Sequence, residues 1–371
     1  MKRINILFIL IESLFISGCY GYVPIERVEL NTGIGYDILE QDGKIMFSDP
    51  TEILVFKGNR MFVSKVIPGI ADSNYMISEQ KEAQLAKKYI LGPEQLYLIS
   101  EKRARYGVED FCDFEGRDNT RNLNARIAIC KQSPENMFSA KFTEYDSVSQ
   151  QIAGIIQIAS LEYFFSSKFT SFEMLLEAIQ SGRQIYLPYI ELVKGKVKLT
   201  GVALFKGKKM FKMIPLEEAR LINLIRYDKS ISGKNRGYLN LTTVDPLKYI
   251  DFLCSSNSKV KISMLDHKLK YDINVTINTD IKSDTIDKNN VLGDEDTKRI
   301  GKMLETKMEK ELKEEVEKVQ TGYGFDCFDI TKYALAKLGR NKGYESDEYF
   351  QSAMIDVHVK AIVVSPGAFS K

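Results

Sequence analysis

From residue 268 onward the chain alternates apolar and polar positions. In "KLKYDINVTINTDI", Tyr271, Ile273, Val275 and Ile277 fall on one side, and Asp272, Asn274, Thr276 and Asn278 on the other. Period two predicts a strand in a sheet with one wet face. The span from 259, with "VKISML", predicts its neighbour. Between 296 and 320 the period changes to four: Ile300, Leu304, Met308, Leu312 and Val316 recur, joined by Met303 and Val319. That spacing predicts a long helix with one buried stripe and a solvent side of Lys and Glu. The polar residues 283 to 296 read as a loop between them. A helix over about 327 to 339 and the strand "IDVHVKAIVV" follow.

The earlier part of the chain mixes the two periods. "GIGYDILEQDGKIMF" carries Asp42-Gly43 between alternating runs, a hairpin signal because both residues tolerate positive φ. A helix is predicted over 78 to 91, capped by Ser78, with Ala83, Leu85, Ala86, Tyr89 and Ile90 on its apolar face, and ended by Gly92-Pro93. "EQLYLIS" reads as a short buried strand. Ser100 opens a helix to about Phe114, and "NLNARIAIC" is a second strand, so the span suggests a βαβ unit on a mixed sheet. Ser133 caps a short helix, 147 to 166 is helical, and Thr170 or Ser171 caps a helix over 172 to 181. After the strand "IYLPYIEL", "KLTGVALFKGKKMFKMI" predicts a hairpin turning at Gly207. Pro215 then opens a helix whose Glu217 and Glu218 suit the positive end of its dipole.

These elements predict an α/β chain of the α+β type, multi-domain, with mixed and antiparallel sheets and packed helices. The 371 residues suggest two or three domains at ~100–200 residues each. The texture changes at Lys194-Gly195-Lys196. We therefore expect an N-terminal domain over 19–195 and a C-terminal one over 196–371, the latter with a candidate division near 258.

Residues 1–18 have a different character. Lys2 and Arg3 precede an apolar run, "INILFILIESLFIS". A spanning helix needs about 20 apolar residues, whereas a secretory signal core is about 7–15 long. The run fits the signal better, although Glu12 is unusual inside one. Ile16-Ser17-Gly18-Cys19 then resembles the bacterial lipobox, in which the thiol takes a diacylglycerol and the chain is cut before the cysteine. Cys19 is the candidate lipidation site. Cleavage there removes Lys2, Arg3 and Glu12, leaving 50 basic against 49 acidic side chains. So balanced a charge calls for no nucleic acid and no electrostatic hold on anionic lipid.

Candidate chemistry is sparse. Cys112, Cys130, Cys254 and Cys327 are widely spaced with no Cys-x-x-Cys pair, which argues against a zinc site. An even number in an exported chain permits disulfides, but their apolar settings favour free buried thiols. His267 and His358 are the only histidines. Gly33 and Gly35 lack the third glycine of a dinucleotide loop and lead into a turn rather than a helix. The chain has no Gly-x-Ser-x-Gly and no His-Glu-x-x-His, so no catalytic, cofactor or metal residue is assigned. Arg117 and Asp118 are expected to fix a turn between a helix and a strand.

Taken in order, several segments resemble the Ger(x)C lipoproteins, the C subunits of nutrient germinant receptors of spore-forming bacteria. They are the lipobox Ile16 to Cys19; "GIGYD", Gly33 to Asp37; the strand–helix–strand with Ser100-Glu101 and Arg117-Asp118; "LPYIEL" before "LTGVALFKGKKMF"; and a closing strand, long helix, "GYGFD" and final strand. Two places depart from the family pattern: Tyr20-Gly21-Tyr22 stands where Trp-Asp-Arg is usual, and Cys327 to Ile330 replaces an aromatic, glycine-rich segment. The resemblance implies a non-enzymatic α/β protein held on the outer face of the spore inner membrane by diacylglyceryl Cys19. It implies two other receptor subunits as partners and an indirect link to a small nutrient. An extracytoplasmic solute-binding lipoprotein of a transporter is the alternative, and that class shows two similar doubly wound lobes.

Overall fold

The computed structural model describes residues 23–57, 62–140, 145–159, 161–166, 168–227, 235–286 and 292–366. The chain begins with a 3-10 turn, Ile25–Arg27, and enters β1 (Val28–Gln41), β2 (Lys44–Ser48), β3 (Thr51–Phe56), β4 (Phe62–Ile67) and β5 (Ile70–Ala71). Helix Asn74–Gln84 follows, then β6 (Lys88–Ile90) and β7 (Leu96–Ser100). Helices Glu101–Tyr106 and Glu109–Arg117 lead to β8 (Arg126–Cys130). Helices Pro134–Phe138, Val148–Ala159 and Ser171–Ile179 lead to β9 (Tyr186–Val193), β10 (Lys196–Lys206) and β11 (Lys209–Pro215). After helix Leu216–Arg226 come β12 (Asn235–Thr242), β13 (Tyr249–Leu265) and β14 (Lys268–Asp284). Helices Asp294–Lys318, Thr331–Leu338 and Asp347–Ser352 precede β15 (Met354–Ser365).

Among the described residues, eleven strands form one mixed sheet with the spine β11-β10-β9-β8-β7-β1-β2-β5; β3 and β6 join at β1, and β4 pairs with β3. β1, β7, β8 and β9 run parallel. β7 and β8 are almost wholly buried and read as unbroken apolar runs because helices cover both faces. Helix Val148–Ala159 packs Ile152 and Ile156 on one face; Ala104, Phe111 and Met174 cover the other. Gly195 is the turn of the β9–β10 hairpin, so the sheet continues across residue 195. The second sheet, β12-β13-β14-β15, buries one face against helices Leu216–Arg226 and Asp294–Lys318, and one contiguous core joins it to the first sheet.

Several elements differ from the sequence expectation. The helix expected over 78–91 runs over Asn74–Gln84 and is capped by Ser73, whose side chain accepts the Met76 N–H. Tyr89 and Ile90 pair with β1 instead. The helix expected from Ser100 to Phe114 breaks at Gly107, at φ 139°. The stretch 147–166 is helical only as far as Ala159. β13 begins at Tyr249, ten residues before the expected start. Residues 327–330 are not helical; the helix there is Thr331–Leu338. Met303, placed in the buried stripe by spacing, is exposed, while Ile300, Leu304, Met308, Leu312, Val316 and Val319 are buried.

Candidate functional site

In open α/β sheets ligands bind beyond the carboxyl ends of parallel strands, where neighbouring connections leave on opposite faces. β7 and β8 meet that condition: their following helices pack on opposite faces. The family-like residues converge at that edge. Asp37 on β1 accepts from Ser100 Oγ (2.5 Å) and from the Ile38 N–H (2.8 Å). Ser100 Oγ in turn accepts the Arg103 N–H and caps its helix. Glu101 accepts from the Tyr189 hydroxyl and from Arg105 Nε (2.7 Å). Lys131 Nζ lies 2.9 Å from Glu191, which also takes Thr200 Oγ1 at 3.0 Å. The acidic groups of this edge are therefore already engaged by donors of the same chain.

Gly33 and Gly35 have no positive φ. A Cβ on Gly33 would lie 2.0 Å from Ser149 Oγ, and one on Gly35 2.3 Å from Pro134. The glycines admit the helices that follow β8, a packing role and not a phosphate cradle. Nearby, the buried Glu52 carboxylate accepts the N–H groups of Val148 and Ser149 (both 2.8 Å), Ser149 Oγ, Thr32 Oγ1 and Ser64 Oγ. It satisfies the start of helix Val148–Ala159.

A second polar cluster lies under helix Glu109–Arg117. Arg117 points outward to Asp113 (2.9 Å), both largely exposed. Asp118 instead holds Thr120 and Arg121 Nε (3.0 Å). The expectation of an Arg117–Asp118 unit is corrected: the partner is Arg121, which sequence reasoning passed over. Arg121 is buried, lies 3.8 Å from Glu115 and stacks on Phe114. Glu115 accepts from the Tyr36 hydroxyl at 2.5 Å, and burial pushes its carboxyl up. Asp118 sits below the usual carboxylate range because Thr120 and Arg121 outweigh burial.

A third cluster joins the two sheets. Arg226 is buried and reaches Glu177 (2.5 Å), Cys327 O (3.0 Å) and Gln184 O (3.1 Å). Arg183 bridges Glu177 (3.2 Å) and Asp329 (3.1 Å), and Lys332 closes on Asp329 at 2.7 Å. Burial raises Asp329, but Arg226, Lys332 and Arg183 outweigh it and hold the carboxyl low. Among the described residues no cation is bonded to Asp326. It accepts the N–H groups of Phe328 and Thr331, and burial lifts it to about 6. Gly324 at φ 73° ends the π-turn after the long helix, and Asp329 has φ 59°. The segment at 322–330 is thus the joint between the sheets.

The outer face of the second sheet is open and polar. A shallow groove there, of about 410 Å³, is lined by Arg236, Ser255, Asn257, Asn278, Asp280 and Val364 among others. His267 lies in the β13–β14 turn at φ 64° and His358 on β15, so the structure does not bring the histidines into one element. Among the described residues no three His, Cys, Asp or Glu side chains are grouped to hold a metal. Cys112, Cys130, Cys254 and Cys327 are free and buried; burial pushes the thiols of Cys112 and Cys254 up to about 12. No helix of the described residues is long and apolar enough to cross a membrane. Cys19 lies outside the described residues.

Comparison with known proteins agrees with this arrangement along the chain. Residues 21–192 match the family described as spore germination protein, N-terminal domain. Residues 200–367 match spore germination B3/GerAC like, C-terminal. The spore germination protein GerQC of Bacillus cereus is 20% identical over 361 residues, covering 95% of this chain and 94% of that one. The crystal structure of the GerBC protein shares the fold, with a TM-score of 0.58 at 15% identity over 89% of this chain and 97% of that one. With both halves matched in order, the chain belongs to the Ger(x)C family of spore germination proteins.

Proposed function

We propose that this protein is a non-catalytic, lipid-anchored subunit of a nutrient germinant receptor. The observation that carries the reading is the pair of germination-family matches, which together span nearly all of the chain after Cys19. Its partners are then the two other receptor subunits, and its place is the outer face of the spore inner membrane. The geometry supports a structural role: the carboxylates at the ligand-prone sheet edge are tied to neighbouring donors. A solute-binding lipoprotein would call for two similar lobes, whereas here β9, β10 and β11 extend one sheet.

Anchoring is assigned to Cys19. One acyl chain gives marginal binding of roughly 10⁴ M⁻¹, while two chains, at ~0.8 kcal/mol per buried CH₂, hold stably. A diacylglyceryl cysteine supplies two. Mass spectrometry of the mature N-terminus is expected to show a diacylated Cys19. Cys19→Ala is expected to block lipidation and slow nutrient-triggered germination while leaving thermal unfolding unchanged. An unmodified cysteine in the wild-type protein refutes the anchor. Normal nutrient germination of spores lacking the gene, with germination by other triggers also normal, refutes the receptor role.

A further inference from the structure

The segment nearest residue 19 is a small lobe at the amino end of β1. It is built from the start of β1 with β3, β4 and β6, and it has its own apolar cluster of Ile53, Val55 and Ile67 packed by Leu85 and Tyr89. Strand register places four segments together at its tip. Val28 pairs with Lys88, Glu29 with Val55, and Phe56 with Phe62. The tip therefore gathers Arg27, Lys57, Lys87 and Lys88. Arg27, Lys57 and Lys88 are exposed and Lys87 is half-buried. None of the four makes a side-chain hydrogen bond or ion pair among the described residues. Val23 and Ile25 stand exposed beside them, and the Phe56 and Phe62 rings meet at 5.4 Å. Across 23–28, 56–57, 62–63 and 86–88 the only acidic residue is Glu26.

We infer that this tip rests on the anionic lipid surface and sets the orientation of the protein on it. The inference rests on the anchor at Cys19. Val23 follows Cys19 by four residue steps, a reach of at most about 14 Å at 3.3–3.6 Å per residue. The far end of β1 lies about 45 Å away, from its 14 residues at ~3.3 Å each. That end has lysines too, Lys44, Lys194 and Lys196, but they are interleaved with Glu40, Asp42 and Glu191, and the tether does not reach them. The tip instead pairs unpartnered cations with exposed apolar side chains, the combination that binds an anionic headgroup layer. A whole-chain charge near neutral hides this local excess.

The test uses the unlipidated full mature chain, made with residues 1–19 replaced by an ordinary cleavable signal, so that failure of lipidation at Cys19 is read separately by mass spectrometry. Flotation at low salt compares phosphatidylglycerol-containing vesicles with phosphatidylcholine alone. Binding is expected only to the anionic vesicles. A basic residue near the surface contributes about fivefold. Replacing Arg27, Lys57, Lys87 and Lys88 together with Gln is therefore expected to weaken binding by roughly 100-fold or more. The far-end set Lys44→Gln, Lys194→Gln and Lys196→Gln is expected to leave it within about threefold, with both variants unfolding at the wild-type temperature. No binding by the wild type, equal binding to neutral vesicles, or equal losses from the two sets each overturns the inference. So does binding that appears only when membranes carry the partner subunits, since the occupant is then a protein.

Discussion

In the first sheet β7 and β8 are buried on both faces, while in the second β13 and β14 alternate a buried residue with an accessible one. The consequence lies in where polar side chains go. The second sheet sends Asp272, Asn274 and Asn278 toward water. The first region encloses Glu52, Glu94, Glu115 and Arg121 and must satisfy them within the chain. Removing a partner inside costs a desolvated charge; removing an outward polar group costs little. Two ways of folding a sheet thus leave two different sensitivities to substitution.

The largest test of that contrast is the joint. Arg226→Ala leaves the buried Glu177 with Arg183 as its remaining cation among the described residues and strips donors from two carbonyls. A loss of about 3–5 kcal/mol is expected in urea unfolding. A loss under about 1 kcal/mol would show that the pair only offsets its own burial. Next, the two faces of β14 are separated by one position. Ile273→Ala, at a site 0% exposed, is expected to cost about 2–5 kcal/mol. The adjacent exposed Asn274→Ala is expected to stay within ~0.5 kcal/mol, and similar losses at both sites would contradict a two-faced sheet.

Asp326 gives a pH-dependent version of the same contrast. Its folded carboxyl sits at about 6 through burial, above the usual unfolded value near 4. Between those values the native state binds more protons than the unfolded state, so this group's contribution to stability falls as pH rises from about 4 to 6. The fall is up to about 3 kcal/mol. Comparing unfolding at pH 4 and pH 7 should show a smaller change in Asp326→Asn than in wild type; equal changes would contradict the raised value. The smallest effect belongs to the exposed Arg117, where Arg117→Ala is expected within ~0.5 kcal/mol. Asp118→Ala, which frees the buried Arg121 of one partner, is expected to cost about 1–2 kcal/mol in the same assay.

The same contrast explains what could be read from sequence. The alternation over 268–281 and the four-residue period of the long helix are local, and both carried through to the structure. β13 was half hidden because Ser256 and Ser258 point into the buried face, so the strand looks polar over "SSNS". The helix placed over 78–91 shows tertiary pairing overriding local period: Lys88–Ile90 gains β1 as a partner and leaves the helix. The clusters were illegible for a different reason. Glu177 and Arg226 are 49 positions apart and Arg183 and Asp329 are 146 apart, with no shared motif to associate them. Arg121 had a local signal, an arginine three residues after Asp118, hidden behind the adjacent Arg117.

β15 closes the second sheet by pairing in parallel with β14, Lys270 opposite Met354. Its outer edge is met by the long helix: Glu309 accepts the Val359 N–H at 3.3 Å, and Gly301 lets the helix approach the Ala361 carbonyl. This order has a consequence in time. As the chain is synthesised, β14 is complete about 70 residues before β15 begins, at ~5–20 residues per second a delay of several seconds. During that interval one flank of a 17-residue strand has no mate of its own. An unpaired flank is a template for pairing with another nascent chain. The charged helix Asp294–Lys318 emerges inside that interval, before β15 itself. Its seat against the outer edge of β15 exists only once residues 354–365 have arrived.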